Sequence, residues 1–258
     1  QADTVLSYCA IYLINGRIAL ILPTLSMRSV TSQTLTAFAI AALIMGTAVA
    51  ATFPDVPEDH LYYEPIEQLV SSGVINGNPD GNFYPLRSVN RAEMLKMLYV
   101  AKGKQPDPTS VKCFPDVAPG SWYESYVCDA AANRYVGGYA DGTFRPASEV
   151  NRVEALKMIE EVLDIPVEDV SDMDRDVINF VDVSVSAWYT KYLYTAYSVG
   201  ILPIAGQDSS RFYPEASLKR GEAAAMIYNA LGAQLRLQRA QTDPPEQQEE
   251  DAEEEEEV

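Results

Sequence analysis

Three arginines stand at corresponding places in this chain, each second in a four-residue run: Asn90-Arg91-Ala92-Glu93, Asn151-Arg152-Val153-Glu154 and Lys219-Arg220-Gly221-Glu222. In the first two runs Asn and Glu have the spacing of a helix N-cap and its third residue. That is a capping-box arrangement, in which side chains satisfy free backbone N–H groups. Each arginine then falls in a first helical turn, where the macrodipole disfavours a cation. A positive charge there needs an anionic partner. Helix N–H groups beside a guanidinium make a site for a carboxylate or phosphate. The competing arrangement is an ion pair to an acidic residue of a neighbouring segment, and position alone leaves both open. The third run departs, with Lys219 replacing the capping Asn and Gly221 following the arginine, so its helix start is less well capped.

Two further sets have the chemistry of sugar recognition. Asp55, Asp116 and Asp182 sit in Phe53-Pro54-Asp55-Val56, Phe114-Pro115-Asp116-Val117 and Phe180-Val181-Asp182-Val183. Their carboxylates would accept from sugar hydroxyls, or cap the turn into a helix or pair with an arginine. Trp122 and Trp188 precede Tyr123 and Tyr189. Flat aromatics stack on the apolar face of a sugar, and they also lock cores. The first segment has His60-Leu61 at this place. Either two of three grooves work, or Tyr62 and Tyr63 substitute.

These residues recur because the whole stretch recurs, and a unit repeated three times decides the fold before any local reading does. The turns align as Asp80-Gly81-Asn82-Phe83-Tyr84-Pro85, Asp141-Gly142-Thr143-Phe144-Arg145-Pro146 and a looser Asp208 to Pro214. The arginines are 61 and 68 residues apart, the longer interval holding an insertion around Pro166 to Asn179. Each unit has a first helix, near Tyr62–Ser72, Tyr123–Asn133 and Tyr189–Val199. Ile66, Leu69, Val70; Tyr126, Val127, Ala130; and Tyr192, Leu193, Ala196 face inward at helical spacing. The second helices carry Met94-Leu95-Met97-Leu98, Ala155-Leu156-Met158-Ile159 and Ala223-Ala224-Met226-Ile227, which read as core stripes. The Asp-Gly pairs read as turns needing positive φ at Gly81 and Gly142. The stretch from Asn76 imitates the front of a calcium loop, but its twelfth position is Arg87 where a bidentate Glu is required.

At these motifs, in this order, the chain resembles the S-layer homology (SLH) domain family, whose usual complement is three tandem copies. The likeness runs from about Phe53 to Leu231. It implies an all-α fold: three two-helix repeats assembled as a pseudo-threefold spindle around a three-helix bundle, with the three first helices at the centre. It also implies non-covalent attachment of a surface protein to a cell-wall polymer, commonly a secondary polysaccharide bearing a pyruvate ketal. Through it, Arg91, Arg152 and Arg220 are expected to contact that carboxylate. Trp122, Trp188, Asp55, Asp116 and Asp182 complete the expected ligand-binding set.

Composition agrees with a binding role. The formal net charge is −18, of which ten acidic side chains lie in residues 243–258. An acidic chain without a basic stripe is a poor nucleic-acid binder. A single His, with no Gly-x-Ser-x-Gly or phosphate loop, leaves no recognisable catalytic set and no cofactor. Paired carboxylates for a wall hydrolase are the least favoured alternative. Cys113 and Cys128 are expected to pair in an exported chain, the other reading being two buried thiols. A loop of about 15 residues stabilises by about 3 kcal/mol in the chain-entropy description. One such pair with one His is not a zinc site.

Residues 1–26 are read as an extension preceding a start at Met27; Asn15 and Arg17 argue against a membrane segment there. Residues 27–50 have the pattern of a signal peptide: Arg28, an apolar run Leu35–Met45, and Ala48-Val49-Ala50 as cleavage signal. Repeats are assigned to 51–104, 112–166 and 178–233. The helix pattern carries on through Leu237, and 234–258 is assigned to an acidic tail, disordered where it cannot bury apolar surface. The expected product is an exported protein at the cell surface of a prokaryote. Its partner is a cell-wall polysaccharide or peptidoglycan-linked polymer, with an envelope protein as the alternative.

Overall fold

The computed structural model describes residues 11–14, 17–20, 51–107, 112–167, 180–202 and 210–242. The chain divides into two compact units, 1–50 and 51–258. In the first, β1 (Ile11–Ile14) and β2 (Arg17–Leu20) pair antiparallel, Ile11 opposite Leu20 and Ile14 opposite Arg17. The expected signal peptide, Cys9, most of the insertion before Phe180 and residues 243–258 lie outside the described residues.

The second unit has six described helices. These are α1 (Tyr63–Ser71), α2 (Arg91–Ala101), α3 (Glu124–Ala132), α4 (Arg152–Val162), α5 (Thr190–Ser198) and α6 (Arg220–Thr242). It is the helical three-repeat architecture the motifs imply. Among the described residues no helix is long and apolar enough to cross a membrane. Helix α6 reaches Thr242, so residues 234–242, assigned above to the tail, are helical.

One expectation is reversed. The second helices α2, α4 and α6 contact one another pairwise, and the first helices pack outside them: α3 on α2, α5 on α4, α1 on α6. The reason is in the side chains. Ala92, Met94, Leu95, Met97, Leu98 and Tyr99 bury most of the circumference of α2, whereas α1 buries only Ile66 and Leu69. A helix apolar around most of its surface belongs in the middle, and one with a single stripe belongs outside. Small residues still serve close packing, since Ala130 and Ala196 are fully buried.

Backbone bonds close the three repeats around the axis. Val150 N–H donates to Val89 O (3.0 Å), Leu218 N–H to Val150 O (2.9 Å) and Val89 N–H to Leu218 O (3.1 Å). Asn90 and Asn151 form complete capping boxes with Glu93 and Glu154. Lys219 supplies no such acceptor; only its own N–H is satisfied, by Glu222 (3.0 Å).

Within each repeat the two ends of the motif meet. Phe53 packs on Phe83, Phe114 on Phe144 and Phe180 on Phe212, with ring centroids 5.4–5.6 Å apart. Gly81 and Gly142 have φ of 85° and 80°, as their turns require. Cys113 and Cys128 are joined by the expected disulfide, tying the opening of the second repeat to α3.

Candidate functional site

The three aspartates hold turns. Asp55 accepts from the N–H groups of Phe83 (2.8 Å) and Tyr84 (2.6 Å), Asp116 from Phe144 and Arg145, and Asp182 from Phe212 and Tyr213. Tyr84, Arg145 and Tyr213 have φ near +60°. A non-glycine residue held there is strained, and two-point acceptance by a carboxylate fixes it. Burial works against the charge on Asp116 and Asp182, but the paired N–H donors outweigh it and hold both below the usual carboxylate range. The role is structural, but not the one read from the sequence: the carboxylates hold the later turn of the repeat, rather than the turn into the first helix or an arginine side chain.

The arginines sit at helix starts as expected, but the N–H groups beside them are taken. Arg91 and Ala92 N–H donate to Ser148 O and Pro146 O, Arg152 and Val153 to Ala216 O and Pro214 O, Arg220 and Gly221 to Arg87 O and Pro85 O. Each helix start is thus capped by carbonyls of another repeat, and the anion cradle expected from free N–H groups is filled. The guanidinium also reaches across. Arg91 donates through Nε to Phe144 O (3.0 Å) and through Nη2 to Gly137 O (3.3 Å), and lies 3.4 Å from Glu154. Arg220 donates to Phe83 O (3.0 Å) and Asn76 O (2.6 Å). Each stacks on the phenylalanine whose carbonyl it binds, at 4.6 and 4.4 Å.

Above two of these arginines the surface opens into grooves. One, of about 420 Å³, is lined by Arg220, residues 74–78, Arg87, Glu93, Lys96, Met97 and Trp122. The other, of about 280 Å³, is lined by Arg91, residues 135–139, Glu154, Lys157, Met158 and Trp188. The two are built alike: an arginine from one repeat, a loop and lysine from the next, a tryptophan from the third. Trp122 and Trp188 are about half exposed, at 52% and 55%, each braced edge-on by the following tyrosine, so a ring face remains for a ligand. Lys96 Nζ lies 5.6 Å from the Trp122 ring centroid. In the larger groove three cations face one carboxylate, Glu93, which Arg87 engages at 3.0 Å. Burial and the neighbouring Arg87 pull the Arg220 guanidinium below its ordinary range, so an arriving anion would relieve both.

The third arginine is different. Arg152 is buried, ion-paired through Nη1 to Glu222 and stacked on Phe212 at 4.8 Å. Where the other two repeats have Lys96 and Lys157, the corresponding residue is Ala225, and the tryptophan position is Leu61. Tyr62 lies against Gly221 so closely that a Cβ there would come within 2.5 Å of its ring. Burial and Glu222 raise the Tyr62 phenol, partly opposed by Arg152. This junction, the seam, has neither the lysine nor the tryptophan of the other two. The loop at 203–209 lies outside the described residues.

The S-layer homology domain model matches this chain three times, at residues 52–95, 114–156 and 179–224. The chain belongs to the S-layer homology domain family. It is 30% identical over 149 residues to a cellulosome-anchoring protein of Acetivibrio thermocellus, covering 57% of this chain and 32% of that one. It is 26% identical over 203 residues to an S-layer protein of Bacillus thuringiensis subsp. finitimus, covering 78% and 24%. An exoglucanase, XynX, of Acetivibrio thermocellus is 29% identical over 189 residues, covering 70% and 16%. The chain therefore spans a third or less of the length of these relatives. SLH membership among surface-layer and anchoring proteins makes this an exported protein of the cell surface.

The sequence reading missed Lys96 and Lys157. Both stand five residues after the SLH arginine, a signal visible once the repeats are in register. Their importance shows only when a tryptophan from another repeat is seen beside them.

Proposed function

We propose that this chain is a non-enzymatic anchor that grips a cell-wall glycopolymer in the two grooves that pair a lysine with a tryptophan. The observation that carries this reading is the twofold recurrence of an arginine, a lysine and a half-exposed tryptophan, assembled each time from all three repeats. Lys96 and Lys157 present ammonium groups to an anionic sugar substituent, Trp122 and Trp188 offer stacking faces, and Arg91 and Arg220 floor the grooves. A pyruvate ketal, one carboxylate on a sugar, suits this set. The relation to an exoglucanase covers a small part of that protein and is no argument for catalysis here.

The test is retention of the protein on purified cell-wall sacculi, with and without mild acid removal of ketal-linked pyruvate. Wild type is expected to be retained, and Lys96→Ala with Lys157→Ala to be lost. Acid treatment should abolish retention if the carboxylate is a ketal. Failure of intact sacculi to retain the wild type would overturn glycan anchoring. An adaptor role toward an envelope protein would then stand, on the exposed Tyr84 and Leu86 of the first repeat.

A further inference from the structure

At the end of the spindle away from the grooves, three corresponding pairs of residues lie where a central helix meets the outer helix packed on it. They are Tyr99 with Asp129, Glu160 with Thr195, and Tyr228 with Gln68. In the first, Tyr99 donates to Asp129, and the chain after α2 folds back over both. Lys104 Nζ reaches Asp129 at 3.1 Å, and the N–H of Asp107 also bonds that carboxylate. Tyr99 is 1% and Asp129 3% exposed. In the second, the chain after α4 turns back through Ile165, whose N–H donates to Glu160 O, and Glu160, Thr195 and Ile165 are all buried.

The third pair is uncovered. Helix α6 does not turn back but runs on to Thr242. Gln68 is exposed and Tyr228 half-buried. Between α1 and α6 lies a groove of about 440 Å³, lined among others by Leu69, Tyr228, Leu231, Leu235 and Arg236. Among the described residues no segment crosses it. Among the described helices this is also the one outer–central pairing whose two members are not consecutive, since α1 is the first of them and α6 the last.

We propose that the acidic segment 243–258 docks back into this groove, occupying the place that the chain after α2 and after α4 takes at the other two pairs. Charge favours it. At the first pair the receiving side chain is an acid, Asp129, and the returning segment brings Lys104. At the third pair the receiving side chain is the neutral amide of Gln68, with Arg236 in the groove and Arg239 exposed one turn on, and the returning segment brings ten acids. Length suffices. Asp243-Pro244-Pro245 follows the helix directly, and Pro cannot continue it. From Thr242 to the level of Tyr228 is about 21 Å of helix. The thirteen residues after Pro245 span up to about 43 Å extended. The docked segment fastens α1 to α6, the one outer–central pair among the described helices that no linker joins directly.

The experiment uses the full chain with Cys9→Ser and a nitroxide on Ala252→Cys, read by paramagnetic loss of NMR intensity. Intensity is expected to fall at the Gln68 side-chain amide, Ser72 and Gly232. It should recover with Arg239→Glu or with Gly232→Leu, which fills the groove, while the fold is checked by unchanged Val89 and Val150 amides. Loss concentrated at Lys96 and the Trp122 indole would place the segment in the basic groove and overturn the proposal. So would the absence of any localised loss, or loss that grows with protein concentration, which marks a second copy as the occupant.

Discussion

Arg91 and Arg152 occupy the same turn of equivalent helices, are equally buried at 6%, and each reach the glutamate of the following repeat. Yet one floors a groove, and the other is ion-paired to Glu222 at a junction that has neither the lysine nor the tryptophan. The difference lies in the residues around them. Lys157 and Trp188 stand over Arg91, whereas the positions that correspond for Arg152 are Ala225 and Leu61. The architecture is threefold, because all three helix starts are capped by another repeat's carbonyls. The surface chemistry is twofold. Repeats of one family can therefore share an architecture and divide the groove-lining residues unequally.

The largest effect that separates seam from groove is on stability. Glu222→Ala strands the buried Arg152 charge, which costs about 3–5 kcal/mol when a buried ion pair loses one partner. Glu154→Ala should cost clearly less by denaturant unfolding, because Arg91 keeps the carbonyls of Phe144 and Gly137. Equal losses would erase the distinction.

A second contrast concerns the opposite end of the spindle. Among the described residues neither buried carboxylate oxygen of Glu160 has a hydrogen-bond partner, and burial, with Glu161 adding to it, pushes its carboxyl up to about 9. An acid whose folded value lies above its unfolded one binds more protons when folded, so stability falls as pH rises between the two values. Wild type should lose a few kcal/mol between about pH 5 and pH 9 that Glu160→Gln does not lose, by thermal unfolding at each pH.

Smaller effects are on binding. Trp122→Ala and Trp188→Ala are each expected to weaken their own groove about tenfold, near 1.4 kcal/mol, in calorimetric titration with a wall oligosaccharide. Leu61→Ala should leave affinity unchanged. The mildest and most informative change is Leu61→Trp with Ala225→Lys, which restores both missing side chains at the seam. A rise in stoichiometry from two sites to three would show that these two positions alone decide valence.

Much of this was legible in the residues. The capping boxes at Asn90 and Asn151 rest on neighbours three positions away, and the turns at Gly81 and Gly142 on local φ. The Cys113–Cys128 bridge follows from compartment and count. What was not legible depends on other repeats. Nothing near Arg91 announces that Ser148 and Pro146 will consume its helix-start N–H groups. The central place of α2 over α1 was readable in principle, from the breadth of apolar cover at Ala92 to Tyr99 against Ile66 and Leu69. The family picture pointed the other way. The groove set spans three repeats, so Lys96 gains meaning only beside Trp122.

The ring of bonds among Val89, Val150 and Leu218, with α1 seated on α6, has a consequence for how the molecule forms. In a linear array of repeats each unit needs only its neighbours, so folding nucleates anywhere and spreads. Here α1 waits for α6, the helix it packs on, and the ring of bonds closes only with the third repeat. Such distant contacts are slow to form, because loop closure must precede their reward. A chain lacking its third repeat leaves α1 without the helix it packs on, and an emerging chain closes its ring only when α6 has been delivered.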